Sequence, residues 1–143
     1  MVSDLDHIRR RLSREKGTWV GYGARSVALA YPSPYPVGMS SLGYQAMYGL
    51  INSLEDTVAE RVFLPDDEKR QGPPLLTYEG LRPAGDLPVI AFSVAYELEL
   101  AGVFTCLTRM GIPLLAKDRQ PHHPFILMGG PLTFSNPVPL GPF

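Results

Sequence analysis

The stretch that decides the fold class is residues 27–43, Val-Ala-Leu-Ala-Tyr-Pro-Ser-Pro-Tyr-Pro-Val-Gly-Met-Ser-Ser-Leu-Gly. It begins as a continuous apolar run, stops at prolines and reopens with glycine and serine at the expected start of a helix. Continuous Val, Ala and Leu are typical of a parallel strand that is buried on both faces. Ligands of open α/β sheets bind at the loop that follows such a strand. The stretch therefore predicts an α/β domain with a ligand site at this loop.

The rest of the chain alternates strand and helix patterns. Short apolar runs bounded by proline and glycine indicate strands, and apolar residues at three- and four-residue spacing indicate helices. Strands that alternate with helices are typical of a doubly wound parallel sheet. The predicted strands are 27–31, 57–64, 89–94 and 125–129, and the predicted helices between them are 37–54 and 97–110.

The apolar spacing also predicts which face of each helix covers the sheet. A helix of a globular domain buries the stripe on which its apolar residues recur. The two predicted stripes are Met39, Leu42, Ala46 and Leu50 in the first helix, and Leu100, Val103, Phe104 and Leu107 in the second.

An amphipathic helix is predicted at residues 3–16, before the first strand. Ser3 and Asp6 resemble a capping box, and Leu5, Ile8 and Leu12 share one face. The basic residues of this segment are expected to form its solvated side. We therefore divide the chain into a helical extension at 1–17 and an α/β domain at 18–143.

Bulk composition excludes several classes of function. The chain has 143 residues and a formal net charge of -1, which does not favour binding to nucleic acid or to an anionic membrane. Its single cysteine, Cys106, rules out an internal disulfide and a cysteine-held cluster formed by this chain alone, and its helical context suggests a buried structural thiol. No apolar run approaches the roughly 20 residues of a membrane helix, so a cytoplasmic protein is expected.

The end of the chain offers no obvious closing element. After the strand at 125–129 the sequence is rich in proline, and neither a closing helix nor a fifth strand is predicted. A four-stranded sheet of this kind leaves an apolar face or a sheet edge unprotected. We expect further sequence, or a partner chain, to protect it.

Three predicted strand ends converge on one edge of the sheet. There Gly38 and Ser40 either admit a ligand close to the backbone or only begin a helix, and Gly129-Gly130-Pro131 is either a ligand contact or a plain strand exit. Glu97 either binds a ligand or complements the helix dipole, and the dipole also explains Glu99. His122 and His123 precede the last strand, so they belong at the opposite edge, and no metal site is expected there.

Four segments together resemble the amino-terminal region of a family of bacterial radical S-adenosylmethionine (radical SAM) proteins, over residues 18–143. They are residues 27–43, Glu60-Arg-Val-Phe-Leu-Pro65, Ala91-Phe-Ser-Val-Ala-Tyr-Glu-Leu98 and Met128-Gly-Gly-Pro131. The resemblance implies a cobalamin-binding domain of flavodoxin-like fold. In full-length relatives a barrel follows and holds a 4Fe–4S cluster through C-x-x-x-C-x-x-C, a motif that this sequence lacks.

What the resemblance implies for function is a corrinoid site without a cobalt-binding histidine. The D-x-H-x-x-G loop of many cobalamin domains is replaced by residues 35–40, which contain no histidine. We therefore expect a non-catalytic domain that positions a corrinoid or packs on a radical SAM barrel, in cis or in another subunit. The expected cofactor-binding set is Ser33, Tyr35, Gly38, Met39, Ser40, Ser93, Tyr96, Glu97, Gly129, Gly130 and Pro131.

Two other functions are compatible with the sequence. The domain could be a degenerate α/β interaction module that binds no small molecule, as the missing histidine suggests. It could also be a small hydrolase or transferase that uses Ser40 or Ser41 as nucleophile, although no base or oxyanion partner is identifiable. S-adenosylmethionine and the 4Fe–4S cluster are expected only in a full-length protein.

Overall fold

A computed structural model describes residues 4–18, 21, 23–66 and 71–143. The expected capping residue Ser3 lies outside these residues. Three-residue 3-10 turns occur at Ala84–Asp86, Glu97–Glu99, Ala116–Asp118 and Val138–Leu140. The helices are α1 (Asp4–Leu12), α2 (Tyr35–Ser40), α3 (Leu42–Ser53), α4 (Leu100–Arg109) and α5 (Pro131–Ser135), and the strands are β1 (Arg25–Pro34), β2 (Thr57–Leu64), β3 (Val89–Ser93) and β4 (Phe125–Gly129).

The four strands form one parallel sheet in the order β2-β1-β3-β4. The chain passes from β1 to β2 on one side and later returns to β3 on the other side of β1. This reversal creates a topological switch point between the carboxyl ends of β1 and β3, where ligands of such sheets bind. The predicted doubly wound, flavodoxin-like α/β fold is confirmed.

Two apolar cores lie on opposite faces of the sheet. On one face Val103, Cys106 and Leu107 of α4 pack against Ala28, Ala30 and other small or branched strand residues. On the other face Tyr44 of α3 packs with Leu29, Tyr31 and Phe63, together with Ile8 from α1. The two cores explain why β1 reads as a continuous apolar run, because its side chains are buried on both faces.

The sheet-facing stripe predicted for α4 is confirmed at Leu100, Val103 and Leu107, whereas Phe104 packs against Phe143. The stripe predicted for the preceding helix is wrong except at Met39, which packs on the other core. Leu42, Ala46 and Leu50 are exposed, while Tyr44 is fully buried and Tyr48 and Ile51 pack on the core. The Tyr44 hydroxyl donates a hydrogen bond of 2.7 Å to the carbonyl of Leu29. Tyrosine can fill this layer because its buried hydroxyl finds a backbone acceptor.

The single helix predicted at 37–54 is in fact two helices. Ser41 adopts an extended conformation between α2 and α3, and its side chain accepts a hydrogen bond of 3.3 Å from the amide of Tyr44. Serine favours such a cap because its hydroxyl satisfies one of the amides left open at a helix start. The break at Ser41 therefore has a local cause.

The amphipathic helix α1 is present and packs Ile8 into the core. Most of its basic residues are exposed, as expected, but Arg11 is an exception. Arg11 donates hydrogen bonds to the Tyr78 hydroxyl at 2.8 Å and to Asp66 at 2.9 Å. These contacts tie α1 to the segments that follow β2.

The expectation that no helix follows the last strand is wrong. The five-residue helix α5 follows β4 directly, and Leu132 and Leu140 are buried in the core on the α4 face. Phe125 and Leu127 of β4 nonetheless remain exposed on the other face. None of the helices in the described part of the chain combines the length and apolarity that crossing a bilayer requires.

Candidate functional site

The carboxyl edge of the sheet brings together the candidates that follow β3 and β4. Ser93 of β3 lies opposite Gly129 of β4 in the parallel sheet. The amide of Val94 donates a hydrogen bond of 2.8 Å to the carbonyl of Gly129. The amide of Leu132 in α5 donates to the carbonyl of Val94 at 3.3 Å. Backbone hydrogen bonds therefore join residues 93–94 and 129–132 beside the switch point, with Val94 and Leu132 themselves buried.

The two adjacent glycines at this edge of the sheet differ in what surrounds them. Gly130 has a φ of 113°, and a side chain there would meet the backbone of Val94. Internal packing and backbone conformation therefore explain Gly130 without a ligand. Gly129 has no atom within 4 Å of the position that a Cβ would take, so its surface is open.

The start of α2 also has structural explanations. Gly38 lies against the ring of Phe63 and the side chain of Tyr31, with no room for a Cβ. The Ser40 hydroxyl donates to the carbonyl of Val37 at 2.6 Å, and the Ser41 hydroxyl caps α3. Both serines are thus engaged with nearby backbone, which is not the arrangement of an activated nucleophile.

The structure places Tyr35 and Met39 in a different cluster from Ser93 and Gly129. The Tyr35 hydroxyl donates to Glu15 at 2.6 Å, and its ring stacks on Tyr78 with a centroid distance of 5.3 Å. Burial, and then the hydrogen bond to Glu15, raise the pKa of Tyr35 to about 12. Met39 lies beside the guanidinium of Arg61, with an Nη1–Sδ distance of 3.4 Å.

That cluster is centred on Arg61, whose side chain is only 2% exposed. Its guanidinium donates to Glu79 at 2.6 Å and to both oxygens of Glu15 at 2.8 and 3.0 Å, and it lies over the ring of Tyr48. Burial alone lowers the pKa of Arg61, but the two carboxylates outweigh this effect and raise it. A cavity of about 250 Å³ beside the cluster is lined by Thr18, Gln45 and Asn52 among others.

We name this group the Arg61 cluster: Glu15, Tyr35, Tyr48, Arg61, Tyr78 and Glu79. Its one guanidinium pairs with two carboxylates, and its hydroxyl and guanidinium groups are largely used within the chain. It ties the segment after α1 to β2 and to the loop after β2. We interpret it as a structural cluster, because removing one partner of a buried ion pair is costly and these groups already bond to one another.

The remaining candidates lie at the switch point with different exposure. Ser33 at the end of β1 and Ser93 at the end of β3 are half-buried, while Tyr96 and Glu97 are exposed in the connection to α4. Leu98 in the same connection and Phe134 in α5 are also exposed. This edge thus presents hydroxyl groups together with uncovered apolar side chains.

Glu99 is the residue that the sequence analysis missed, because it attributed this side chain to the helix dipole. Glu99 precedes α4 and is 3% exposed, whereas the chosen Glu97 is exposed. Its Oε2 accepts a hydrogen bond of 2.5 Å from the amide of Ala95, and its Oε1 has no hydrogen-bond partner among the described residues. Glu99 stands four residues before the buried Val103, a spacing that could have placed it on the inner face of the helix.

Tyr31 lies beside Glu99 at the end of β1. Burial, followed by the charge of the Glu99 carboxylate and a hydrogen bond to it, raises the pKa of the Tyr31 hydroxyl to about 12, while a hydrogen bond from Ser41 acts in the opposite direction. The two side chains come from opposite sides of the switch point, Tyr31 from β1 and Glu99 from the connection between β3 and α4. A buried carboxylate and a neutral phenol therefore meet in the crevice where the strand order reverses.

The histidines and the cysteine lie away from this edge. His122 and His123 precede β4 at the amino edge, as expected, and their rings are 4.1 Å apart. The amide of Gln120 donates to Nδ1 of His123 at 2.8 Å. Burial raises the pKa of the Cys106 thiol to about 12, which agrees with an unreactive thiol. Within the described residues, no three His, Cys, Asp or Glu side chains cluster in a way that could hold a metal ion.

The fold and this edge define a doubly wound α/β domain whose switch point lies between β1 and β3. The profile of a protein family described as the N-terminal region of radical SAM proteins matches residues 43–143, which is more than half of the chain. The chain therefore belongs to this family. Neither a curated protein nor a solved structure matched the chain. Membership of the family connects the domain to full-length proteins that use S-adenosylmethionine and a 4Fe–4S cluster.

Proposed function

We propose that this domain binds a corrinoid at the carboxyl edge of its sheet and positions it within a radical SAM protein, without catalysing a reaction itself. The observation that carries the proposal is an uncovered apolar rim beside the switch point. Tyr96, Leu98 and Phe134 are 49%, 82% and 92% exposed, and they follow the ends of β3 and β4. Large apolar side chains that stay exposed around polar groups are typical of a binding surface.

The residues present at this edge fit a corrinoid in polarity. A corrinoid offers a broad, largely apolar disc with primary amides around its periphery. The rim residues would contact the disc, the hydroxyls of Ser33 and Ser93 would bond to amides, and the open surface at Gly129 would admit close approach. When bound, a corrinoid supplies a cobalt centre for one-carbon or electron transfer.

This edge offers the cobalt no histidine. His122 and His123 lie at the amino edge and His7 lies on α1, and these are the three histidines of the chain. Residues 35–41, which directly follow β1, carry only hydroxyl, thioether and apolar side chains. The protein would therefore hold a corrinoid through its periphery rather than through its metal.

A titration of the 143-residue chain with hydroxocobalamin tests the proposal. We expect the corrinoid absorption to shift on binding. Replacing Leu98 with serine should weaken binding several-fold, because it removes apolar contact from the rim. Leu42→Ser is a matched control, because Leu42 is 81% exposed on α3 and Leu98 is 82% exposed. An unchanged spectrum with the unaltered chain, or equal losses in both variants, would overturn the proposal.

A second candidate function is protein interaction through α3. Leu42, Met47 and Leu50 are exposed on this helix and Leu54 directly after it, although the other side of the helix packs on the sheet. A helix that is apolar on both sides is usually covered on both. If α3 packs on a radical SAM barrel, Leu50→Ser should weaken binding to a separately produced barrel from the same family, and Leu98→Ser should not. If Leu98→Ser weakened binding to the barrel and Leu50→Ser did not, α3 would be excluded as the surface that contacts the barrel.

A further inference from the structure

The two edges of the sheet differ in how they are covered. β2 forms one edge, where the amide of Tyr78 donates to the carbonyl of Arg61 at 2.8 Å and the amide of Arg61 donates to Glu79 at 2.6 Å. β4 forms the other edge, and within the part of the chain that the structure describes no strand lies on its outer side. Its residues Phe125 and Leu127 are 66% and 51% exposed. The described sheet therefore has one covered edge and one open edge.

The hydrogen bonds of β4 show which of its backbone groups face outward. The amide of Phe125 donates to the carbonyl of Pro88 at 2.9 Å, and the carbonyl of Gly129 accepts from the amide of Val94 at 2.8 Å. Both residues thus turn their backbone groups toward β3. Because backbone groups alternate between the two sides of a strand, those of residues 126 and 128 point away from the sheet. The open edge therefore offers two amides and two carbonyls to a neighbouring strand.

The side chains of β4 make its two ends complementary. Ile126 and Met128 pack on the α4 core, so Phe125, Leu127 and Gly129 face the opposite side of the sheet. Gly129 has no atom within 4 Å of the position that a Cβ would take. One face of this short strand thus carries an uncovered aromatic ring at its start and open space at its end.

Two copies of β4 match each other when they run antiparallel with Leu127 on the two-fold axis. Ile126 then lies opposite Met128 of the second copy, and their outward backbone groups form four hydrogen bonds across the pair. Leu127 lies opposite its own copy and Phe125 opposite Gly129, and pairs of this kind, which lack direct hydrogen bonds, bring side chains closest together. An aromatic side chain beside a glycine at a sheet edge is a stabilising arrangement.

Other partners for this edge match it less well. A two-fold axis at Ile126 would place Pro124 opposite Met128, and proline has no amide to donate. Any extended chain would meet the outward backbone groups of β4. Only a chain with a large ring opposite Gly129 and no side chain opposite Phe125 matches the edge at both ends. β4 itself has that sequence.

We propose that the chain forms a two-fold dimer in which β4 pairs antiparallel with β4 of a second copy, in the register centred on Leu127. β4 carries no charge, so no like charges oppose one another across the axis. The pairing uses the open β4 edge of each copy, so association at this edge stops at two chains. A pair of five-residue strands is small for a specific interface, which makes the dimer weak and dependent on concentration. The inference does not rest on the proposed function.

Sedimentation equilibrium of the 143-residue chain tests for the dimer. It is done without corrinoid, because a corrinoid and the second copy would both use the space at Gly129. We expect the average mass to rise with concentration from that of one chain toward twice that value. Leu127→Lys should weaken dimerisation by about tenfold or more, because two ammonium groups would face each other at the axis and an apolar contact would be lost. Leu50→Lys is the matched control, because Leu50 is 56% exposed on α3, and it should alter dimerisation by less than about twofold.

Cross-linking with oxidised glutathione tests the register. Residue 127 of one copy would stand opposite residue 127 of the other with Cα atoms about 4.5 Å apart, which is within the range of a disulfide. Leu127→Cys should therefore yield a disulfide-linked dimer. Phe125→Cys is the control, because residue 125 lies opposite Gly129 in this register and far from its own copy. The native Cys106 is buried and its pKa is raised to about 12, so it does not compete.

Several results would overturn the inference. One is a mass that stays at that of one chain over the whole concentration range, and another is equal weakening by Leu127→Lys and Leu50→Lys. Growth beyond two chains would also overturn it, because the pair leaves no β4 edge free. If Phe125→Cys cross-linked as readily as Leu127→Cys, the strands would not pair about Leu127 and the inference would fail.

Discussion

The Arg61 cluster and the Glu99 crevice are two buried polar regions of one small domain, and they differ in which groups pair with the buried charge. Arg61 meets two carboxylates, an aromatic face and a thioether, so its charge is compensated within the chain. Glu99 accepts a hydrogen bond from the amide of Ala95, and the Tyr31 hydroxyl lies beside its carboxylate and hydrogen-bonds to it. The comparison teaches that burial of a charge does not by itself mark a functional site.

The largest expected effect is on the stability of the chain when Arg61 is removed. Arg61→Met should lower the free energy of unfolding by about 3–5 kcal/mol, because it leaves the carboxylates of Glu15 and Glu79 in a poorly solvated site without their partner. Denaturation by urea measures the change.

Arg11→Met is the control, since Arg11 contacts the same region through Tyr78 and pairs with the exposed Asp66. A pair of this kind contributes about 0–1 kcal/mol. Equal losses in the Arg61 and Arg11 variants would contradict the structural role of the Arg61 cluster.

A smaller effect should separate two neighbouring glycines at the carboxyl edge. Gly130→Ala should cost about 1–3 kcal/mol of stability, because its backbone conformation and its contact with Val94 leave no room for a side chain. Gly129→Ala should change stability by less than about 0.5 kcal/mol, since open space surrounds this position.

Corrinoid titration of the Gly129→Ala variant sharpens the contrast between structural and binding roles. If Gly129 admits the ligand, the added methyl group should weaken binding of hydroxocobalamin while the thermal midpoint stays unchanged. Similar losses of stability in the two glycine variants would show that the edge is packed more tightly at Gly129 than the structure indicates.

The smallest effect is the dependence of stability on pH through Glu15. Burial raises the pKa of Glu15, but hydrogen bonds from Arg61, Tyr35 and Thr18 outweigh burial and lower the pKa below its ordinary value. A carboxyl group with a lowered pKa stabilises the fold above its unfolded pKa, and this contribution is lost as the pH falls through the folded value. Urea midpoints should therefore decline on acidification, and less steeply in Glu15→Gln. If the urea midpoint of Glu15→Gln fell just as steeply on acidification, Glu15 would not be the source of the pH dependence.

The sheet could be predicted from the sequence because each strand is a short apolar run that ends at glycine, proline or serine. The packing face of α3 could not be predicted in the same way, because hydropathy favoured Leu42 and Leu50 over Tyr44. Tyr44 takes the buried position because it fills the layer beneath the helix and donates its hydroxyl hydrogen bond to the backbone carbonyl of Leu29. Tertiary hydrogen bonding of this kind leaves no periodic signal along the chain.

The two polar regions could not be predicted from the sequence, and the reasons differ. Arg61 lies 46 residues from Glu15 and 18 from Glu79, so no local spacing links them. Glu99 stands in a helix start, where acidic residues are common for electrostatic reasons. Burial alone distinguishes it from Glu97, and burial depends on how α4 is set against the sheet.

The exposed edge strand β4 has a consequence for how the isolated chain behaves at high concentration. β4 reads Phe-Ile-Leu-Met-Gly, carries no charge and lies last in the strand order. Backbone amides and carbonyls along an uncovered edge can pair with the edge of another molecule, and natural proteins usually guard such strands with lysine or proline. We therefore expect this domain, when handled alone, to self-associate by strand pairing at β4. Leu127→Lys is the simplest substitution to prevent it.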